Sequence, residues 1–241
     1  MDDRYFMQTM LKQIGPEGQK KLAGASVLVI GAGGLGSPAL TYLVAAGVGR
    51  VGLTDPDTVS RSNLNRQFLY GDDDIGRRKA DSAMKQLSAM NGDIEIIAYE
   101  EFLSDDNAAT LFAGYDLVLG AVDSFDTRFV INRTSAALCL PYIDGGVNGF
   151  CGCVMFSHPP KTPCVECVFP NKIIKKEQVG VLGATAGIIG TLEANLAVLW
   201  LLGLHNPIEN KLLLYDGLRM SIDFIKIRRD NHCSVCGGSV R

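Results

Sequence analysis

The stretch VLVIGAGGLGSPAL, residues 27–40, spaces its glycines as phosphate-binding turns do. Gly31, Gly33 and Gly36 follow the pattern G-x-G-x-x-G, and Gly34 lies within it. The first glycine allows a tight turn, the second lets the backbone approach a phosphate, and the third allows a helix to pack closely on a strand. The phosphate then lies at a helix N-terminus, where unpaired N–H groups attract an anion. NAD(P), FAD and ATP can all bind such a turn, so the turn alone leaves the nucleotide open.

A second group of polar residues bears on which nucleotide binds. Asp55 lies 19 residues after Gly36, at the end of the next predicted strand, where a carboxylate can accept hydrogen bonds from ribose hydroxyls. Arg66 and Lys79 follow in a long polar stretch and can neutralise phosphate oxygens. Asp123 ends the fourth predicted strand, and its carboxylate suits Mg²⁺ at the sheet edge where ligands gather. Taken singly, such charges usually lie on the surface, but together they favour ATP over NAD(P).

Four of the seven cysteines form two pairs with metal-ligand spacing. Cys164 and Cys167 lie in PCVEC, and Cys233 and Cys236 lie in HCSVCGG after a gap of 65 residues. Two such pairs supply four thiolates for a closed, structural, tetrahedral Zn²⁺ site. Unliganded thiols or a redox pair are the alternatives. The remaining cysteines receive no predicted role: Cys139, Cys151 and Cys153.

Strands and helices alternate in the first part of the chain, which predicts a mostly parallel sheet. We predict strands over residues 26–30, 51–55, 94–99, 116–123 and 142–146. We predict helices over residues 37–46, 79–91, 106–113 and 127–140, with an irregular, polar segment over 56–78. Residues 151–157, 211–217 and 221–229 read as antiparallel strands. The predicted fold is therefore α/β, a Rossmann-like sheet with a C-terminal antiparallel region and a four-cysteine zinc site.

Composition limits the domain count and the class of partner. The 241 residues are 47% hydrophobic and 20% charged, with a net charge of −3. We expect one domain over residues 1–241, with a nucleotide-binding half over 1–150 and a second half over 151–241. A mildly acidic chain gives no electrostatic reason to bind nucleic acid or an anionic membrane. The segment MDDRYFMQTM lacks the apolar core of a signal peptide, so we expect a cytoplasmic protein.

One apolar segment raises the question of a membrane span. Residues 181–204 carry Glu193 as their only charge, and 24 residues are enough to cross a bilayer. Glu193 and Asn195 lie near the middle, however, and small residues are frequent. We therefore expect a helix buried within the protein or at a subunit interface.

The motifs together resemble those of the MoeB/ThiF/HesA family, which is related to ubiquitin-activating enzymes. The resemblance rests on GAGGLGS, AAGVGRVGLTDPDTVSRSNLNRQ, IGRRKADSA and the two cysteine pairs, and covers nearly the whole chain. It implies a homodimer that uses MgATP to adenylate the C-terminal carboxylate of a ubiquitin-like sulfur-carrier protein ending in Gly-Gly, releasing pyrophosphate. Typical carriers serve molybdopterin or thiamin biosynthesis. The second half would hold the carrier and the zinc ion, and a separate protein would donate sulfur.

The resemblance also implies roles for individual residues. Gly34 and Asp55 would contact the nucleotide, and Asn63 and Arg66 of SNLNR would contact ribose and phosphates. Lys79 would bind the phosphates. Asp123, followed by Ser124 in the place of a usual asparagine, would hold Mg²⁺. Arg66, Lys79 and Asp123 are thus the expected catalytic residues, which act by positioning and by neutralising two like-charged reactants.

Two departures from the family pattern matter. Met7 stands where relatives carry an arginine that reaches the ATP phosphates of the neighbouring subunit. Four cations are candidates to compensate: Arg4, Lys12, Arg77 and Arg78. Relatives also carry a loop cysteine, but the corresponding position falls on or near Lys176 and the loop has none. We therefore predict adenylation without a covalent thioester on this chain.

Three other interpretations stay open. The chain could activate a different carboxylate, on a peptide or a modified nucleoside. It could be a nucleotide-binding scaffold without turnover, as the residue at Met7 allows. It could also be an NAD(P)-dependent oxidoreductase, which the glycine turn alone does not exclude.

Overall fold

A single mixed sheet organises the molecule. The computed structural model describes residues 3–170 and 179–237, and eight strands within them form one sheet in the order β3-β2-β1-β4-β5-β6-β7-β8. The first five strands are parallel to their neighbours, and β5 to β8 pair antiparallel. The strands are β1 Ser26–Ile30, β2 Arg50–Thr54, β3 Glu95–Tyr99, β4 Leu117–Gly120, β5 Tyr142–Asn148, β6 Cys151–Ser157, β7 Lys211–Asp216 and β8 Ser221–Lys226.

Helices cover both faces of the sheet. They are α1 Phe6–Thr9, α2 Gly15–Ala23, α3 Gly36–Ala45, α4 Lys79–Met90, α5 Ala108–Phe112, α6 Phe125–Ala137, α7 Val165–Val168 and α8 Gly183–Leu201. One apolar cluster joins α2, α3, α4 and α8 to one face, and a second joins α5, α6 and α7 to the other. In β1, Val27 and Val29 point to the first cluster, and Leu28 and Ile30 point to the second. This is why the strand is an uninterrupted apolar run.

The predicted fold class is confirmed, and several element bounds are corrected. β4 ends at Gly120, where its pairing with β5 ends, so Asp123 lies three residues beyond the strand instead of at its end. The helix predicted over 127–140 begins earlier, at Phe125, and ends at Ala137. It cannot continue because Cys139 adopts a positive φ of 52°. Three helices were not predicted: α1 and α7 are only four residues long, and α2 contains two glycines and a proline, which disfavour a helix in a sequence.

The apolar segment forms the core helix α8. Among the described residues, α8 is the helix that is long and apolar enough to cross a membrane by length and composition. In the structure it packs on α3, β5 and β6. Its buried positions include Ala186, Ile189, Glu193 and Ala197. A helix that covers a sheet and a neighbouring helix has apolar contacts on much of its circumference, which explains its composition.

Candidate functional site

The glycine turn between β1 and α3 is built by close backbone approaches. Gly31 has a φ of +97°, and a Cβ added there would lie 2.5 Å from the carbonyl oxygen of Ala121. A Cβ on Gly36 would lie 2.0 Å from the carbonyl oxygen of Gly31. Neither position accepts a side chain, because the clash is with backbone atoms. The turn thus brings the start of α3 directly onto the end of β1, as the motif predicts.

Asp55 is fixed against this turn immediately after β2. Its carboxylate accepts hydrogen bonds from the backbone N–H of Ala32 at 2.9 Å and of Asp57 at 3.0 Å. The residue is 6% exposed, and burial raises the pKa of its carboxyl group while the nearby Lys79 opposes that rise. Tyr70 also contacts the turn, since it donates its hydroxyl to the carbonyl of Ala32 at 2.8 Å. Asp55 therefore has a fixed orientation at the carboxyl edge of the sheet.

Lys79, the first residue of α4, lies between two carboxylates. Its Nζ is 2.9 Å from Oδ2 of Asp57 and 3.8 Å from Oδ1 of Asp55. The Lys79 side chain is buried, whereas that of Asp57 is 68% exposed. An exposed partner in water contributes less to holding a cation than a buried one does. The ammonium group can consequently exchange the Asp57 contact for an incoming anion and keep Asp55 beside it.

Arg66 is the second cation at the glycine turn. A Cβ added to Gly34 would lie 3.5 Å from both Cγ and Cδ of Arg66, so the arginine stem covers the turn. The guanidinium donates to the carbonyl of Ser62 and to the side chain of Asn65, each at 2.9 Å. Both acceptors are in its own loop, and the guanidinium is at the surface. The turn is thus covered by a cation whose present bonds are local.

Two buried polar atoms near the turn belong to residues for which the sequence predicts no role. Gln67 is buried, its Nε2 lies 3.5 Å from where a Cβ on Gly33 would be, and its Oε1 has no hydrogen-bond partner among the described residues. The Oγ of Ser37, in the first turn of α3, is likewise buried and unpartnered within the described chain. Buried polar atoms without partners are uncommon and indicate a missing water or ligand. Both residues lie inside the quoted motifs, but their burial could not be read from the sequence.

The other predicted nucleotide ligands lie in the segments between β2 and α4 and between β4 and α6. Asn63 directs its Oδ1 to the backbone N–H of Ser60 at 3.0 Å, and so completes a local cap. Asp123 is exposed, and Ser124 is the N-cap residue of α6. Since β1 and β4 are parallel neighbours with Ile30 opposite Gly120, Asp123 lies at the same carboxyl edge as the glycine turn. The structure gives it no bonded contact with Arg66 or Lys79 in the described residues.

The arrangement as a whole favours a phosphorylated ligand. The N-terminus of α3, the glycine backbone and two cations, Arg66 and Lys79, converge on one edge of the sheet. Unpaired N–H groups, a helix dipole and flexible cations all stabilise negative charge. A Cβ on Gly33 would lie 3.5 Å from Nε2 of Gln67, and a Cβ on Gly34 would lie 3.3 Å from Cβ of Ala186, so the two glycines keep the turn uncrowded. The residues present therefore fit a nucleotide polyphosphate.

Met7 lies on α1 and is 75% exposed. Of the cations proposed to replace the missing arginine, Arg78 bonds to Glu100 and to the carbonyl of Pro56. Arg4 bonds to the carbonyl of Met90 and lies 3.7 Å from Asp93. Lys12 and Arg77 are exposed. Lys176, the position of the family's loop cysteine, lies outside the described residues.

The four paired cysteines form one cluster. Their Sγ atoms all lie within 4.8 Å of one another, with Cys164 at 3.8 Å from Cys167 and at 3.6 Å from Cys233, and Cys167 at 3.3 Å from Cys236. A tetrahedron with Zn–S bonds of about 2.3 Å has S···S edges of about 3.8 Å. Burial raises the pKa of the Cys164 thiol, so four thiolates in this volume need a compensating cation. The cluster could bind a zinc ion.

Comparisons with known proteins agree with the geometry. The family described as the ThiF family matches residues 5–235. The chain is 43% identical to a sulfur carrier protein adenylyltransferase of Thermus thermophilus, over 98% of this chain and 90% of that protein. It is 38% identical to the sulfur carrier protein ThiS adenylyltransferase of Escherichia coli K12, over 99% of this chain and 98% of that protein. Its fold matches the crystal structure of E. coli MccB with ATP, at a TM-score of 0.84 and 24% identity over 98% of this chain and 74% of that one.

Proposed function

Because the chain belongs to the ThiF family and is an adenylyltransferase, we propose that it uses ATP to activate the C-terminal carboxylate of a ubiquitin-like sulfur-carrier protein ending in Gly-Gly. The product is an acyl-adenylate, and pyrophosphate leaves. The names of the T. thermophilus and E. coli relatives support a sulfur carrier as the substrate. The proposal includes a homodimer in the cytoplasm and a separate sulfur donor.

One observation carries the proposal: two cations, Arg66 and Lys79, lie at a glycine turn whose acidic partner Asp55 is buried and fixed. A carboxylate that attacks the α-phosphate of ATP meets another anion. The reaction therefore requires neutralisation of phosphate charge and correct placement more than it requires a covalent helper. Arg66 and Lys79 supply that charge in the proposed complex, and Asp55 accepts bonds from the ribose.

We place magnesium at Asp123. Its exposed carboxylate lies at the same sheet edge as the turn, and Mg²⁺ prefers one or two carboxylates together with phosphate oxygens. The bound ion would neutralise the phosphates. The residues of this chain would orient the nucleotide so that the α-phosphorus faces the incoming carrier tail.

We also propose that the cysteine cluster binds a structural zinc ion. Four sulfur ligands at near-tetrahedral spacing leave no open coordination position for catalysis. The ion would hold the segment that contains Cys233 and Cys236 against α7, which begins directly after Cys164 and contains Cys167.

The direct test is exchange of labelled pyrophosphate into ATP, with and without a purified ubiquitin-like carrier that ends in Gly-Gly. We expect exchange only with the carrier, and none with the carrier from which the last two glycines are removed. Exchange with a short peptide alone would show activation of a different carboxylate. Binding of MgATP by calorimetry without exchange under any condition would indicate a scaffold and contradict the proposal.

A further inference from the structure

The position of the Asp123 carboxylate is set by the backbone of the loop between β4 and α6. Its side chain is exposed, and the structure shows no bond from it to another described residue. β4 ends at Gly120 and α6 begins at Phe125, so the intervening loop alone determines where the carboxylate points. A magnesium ligand must be held within a fraction of an ångström of its productive place. Some other group must therefore fix this loop.

Arg128, in the first turn of α6, is that group. One guanidinium nitrogen donates at 3.2 Å to the carbonyl of Val122, the residue directly before Asp123. The same nitrogen donates to the carbonyl of Gly145 at 2.5 Å in β5. The other terminal nitrogen donates to Oδ2 of Asp144 at 2.7 Å. A single planar cation thus connects the loop to the neighbouring strand.

The surroundings keep the guanidinium in place. Arg128 and Asp144 are 6% and 1% exposed, and Tyr142 also donates its hydroxyl to Asp144. The ring of Phe125 lies 5.3 Å from the guanidinium carbon. A Cβ on Gly146 would lie 2.9 Å from the guanidinium, so the absent side chain makes room for it. A buried ion pair needs such additional bonds; here the two terminal nitrogens make them, while Nε has no hydrogen-bond partner among the described residues.

We propose that Arg128 is a positioning residue, which fixes the loop carrying Asp123 through its bonds to Val122 and Gly145. The inference rests on the proposed function, in which Asp123 holds magnesium. Arg128 does not touch the nucleotide, since its guanidinium is buried against β5. Its removal should therefore impair magnesium use before it impairs binding of the carrier.

The test variant is Arg128→Lys, which retains a positive charge beside Asp144 but lacks the rigid fork that reaches several acceptors at once. Arg133→Lys is the matched control. Arg133 is on the same helix and also pairs with an aspartate, Asp105 at 2.9 Å, but on the exposed side. Folding is checked by thermal unfolding. If Arg128→Lys fails to fold, Asp144→Asn replaces it, because it removes the counter-charge that holds the guanidinium.

The first measurement is carrier-dependent pyrophosphate exchange as a function of Mg²⁺ concentration. We expect Arg128→Lys to raise the half-saturating Mg²⁺ concentration on the order of tenfold and to lower kcat by about 10- to 100-fold, as small misplacements of catalytic groups do. KM for the carrier should change little, and Arg133→Lys should resemble the wild type. A folded Arg128→Lys protein with unchanged Mg²⁺ dependence would overturn the proposal.

The second measurement needs no activity. We expect hydrogen exchange of the backbone amides of residues 121–124 to be on the order of tenfold faster in Arg128→Lys than in the wild type and in Arg133→Lys, because the loop loses its fixed contact. Unchanged amide exchange would also overturn the positioning role. If the wild type itself shows no pyrophosphate exchange, the proposed function fails, and the amide measurement still decides what Arg128 does.

Discussion

Nζ of Lys79 lies 2.9 Å from Oδ2 of Asp57 and 3.8 Å from Oδ1 of Asp55. The first carboxylate is exposed and the second is buried, so the lysine has one partner that water can replace and one that it cannot. An ammonium group held in this way can exchange its contact with the exposed carboxylate for a contact with a phosphate.

Replacing Lys79 removes that cation. We expect Lys79→Met to lower kcat/KM for carrier-dependent pyrophosphate exchange by about 10²- to 10³-fold, the usual effect of losing one group that stabilises developing charge. Lys85→Met, an exposed position on the same helix α4, is the control and should retain full activity. Equal activity of both variants would remove Lys79 from the phosphate site.

Asp123→Ala tests the magnesium site. We expect no measurable exchange at any Mg²⁺ concentration, with thermal stability and oligomeric state unchanged, because the exposed side chain makes no bonded contact within the described chain. Asp126→Ala removes a nearby exposed carboxylate on α6 and should remain active. If Asp123→Ala retains activity, magnesium is held elsewhere.

The cysteine cluster makes a prediction for metal content. Elemental analysis should find about one zinc per chain in the wild type and in Cys151→Ser, an exposed cysteine outside the cluster, and nearly none in Cys233→Ser. We expect the free energy of unfolding of Cys233→Ser to fall by about 2–3 kcal/mol, which should lower its Tm by roughly 4–12 °C in a domain of this size. Full zinc content in Cys233→Ser would contradict a four-thiolate site.

The buried Glu193 should make the free energy of unfolding depend on pH in an unusual way. It is fully buried in α8, and neither carboxylate oxygen has a hydrogen-bond partner among the described residues. Burial, together with the charge of Asp144, raises its pKa well above 4.5, and Arg128 opposes the rise. The folded protein therefore keeps a proton that the unfolded chain has lost, and the free energy of unfolding falls as pH increases from about 4.5 to the folded-state pKa.

Glu193→Gln should remove this pH dependence. Across that window the wild type should lose up to about 1.4 kcal/mol per pH unit relative to the variant, so Glu193→Gln should melt at a higher temperature at neutral pH. Denaturant unfolding between pH 5 and 8 measures the difference. Glu209→Gln, which changes an exposed carboxylate, should follow the wild type. Parallel curves for the wild type and Glu193→Gln would show that Glu193 is not protonated in the folded state.

Local patterns in the sequence were sufficient to predict the elements that build the site. The glycine turn, the position of Asp55 after β2 and the pairing of the cysteine motifs follow from spacing and residue type, and the structure places Asp55 and the four cysteines as those patterns indicate. The role of Asp123 stays a prediction, since its position beyond β4 depends on a loop. Loop geometry is not encoded by periodicity.

The buried polar network could not be predicted. Arg128 and Asp144 are 16 residues apart, and they meet because β5 pairs beside β4. Glu193 reaches the same strand from the opposite face, where a Cβ on Gly145 would lie 2.4 Å from its carboxyl carbon. In a sequence these are isolated charges in otherwise apolar or helical stretches. Only the strand order reveals that consecutive glycines in β5 accommodate them.

Gly31 and Gly36, the two outer glycines of the turn, affect how the results of mutational surveys should be interpreted. A methyl group at position 36 would lie 2.0 Å from the carbonyl oxygen of Gly31, so any larger residue there forces strand and helix apart whatever the ligand. Variants at these two positions will score as inactive in every assay, and they will report misfolded protein and not altered nucleotide choice. Preference between adenine nucleotides is therefore better sought at the exposed residues of the polar segment 56–78, whose side chains do not pack in the core.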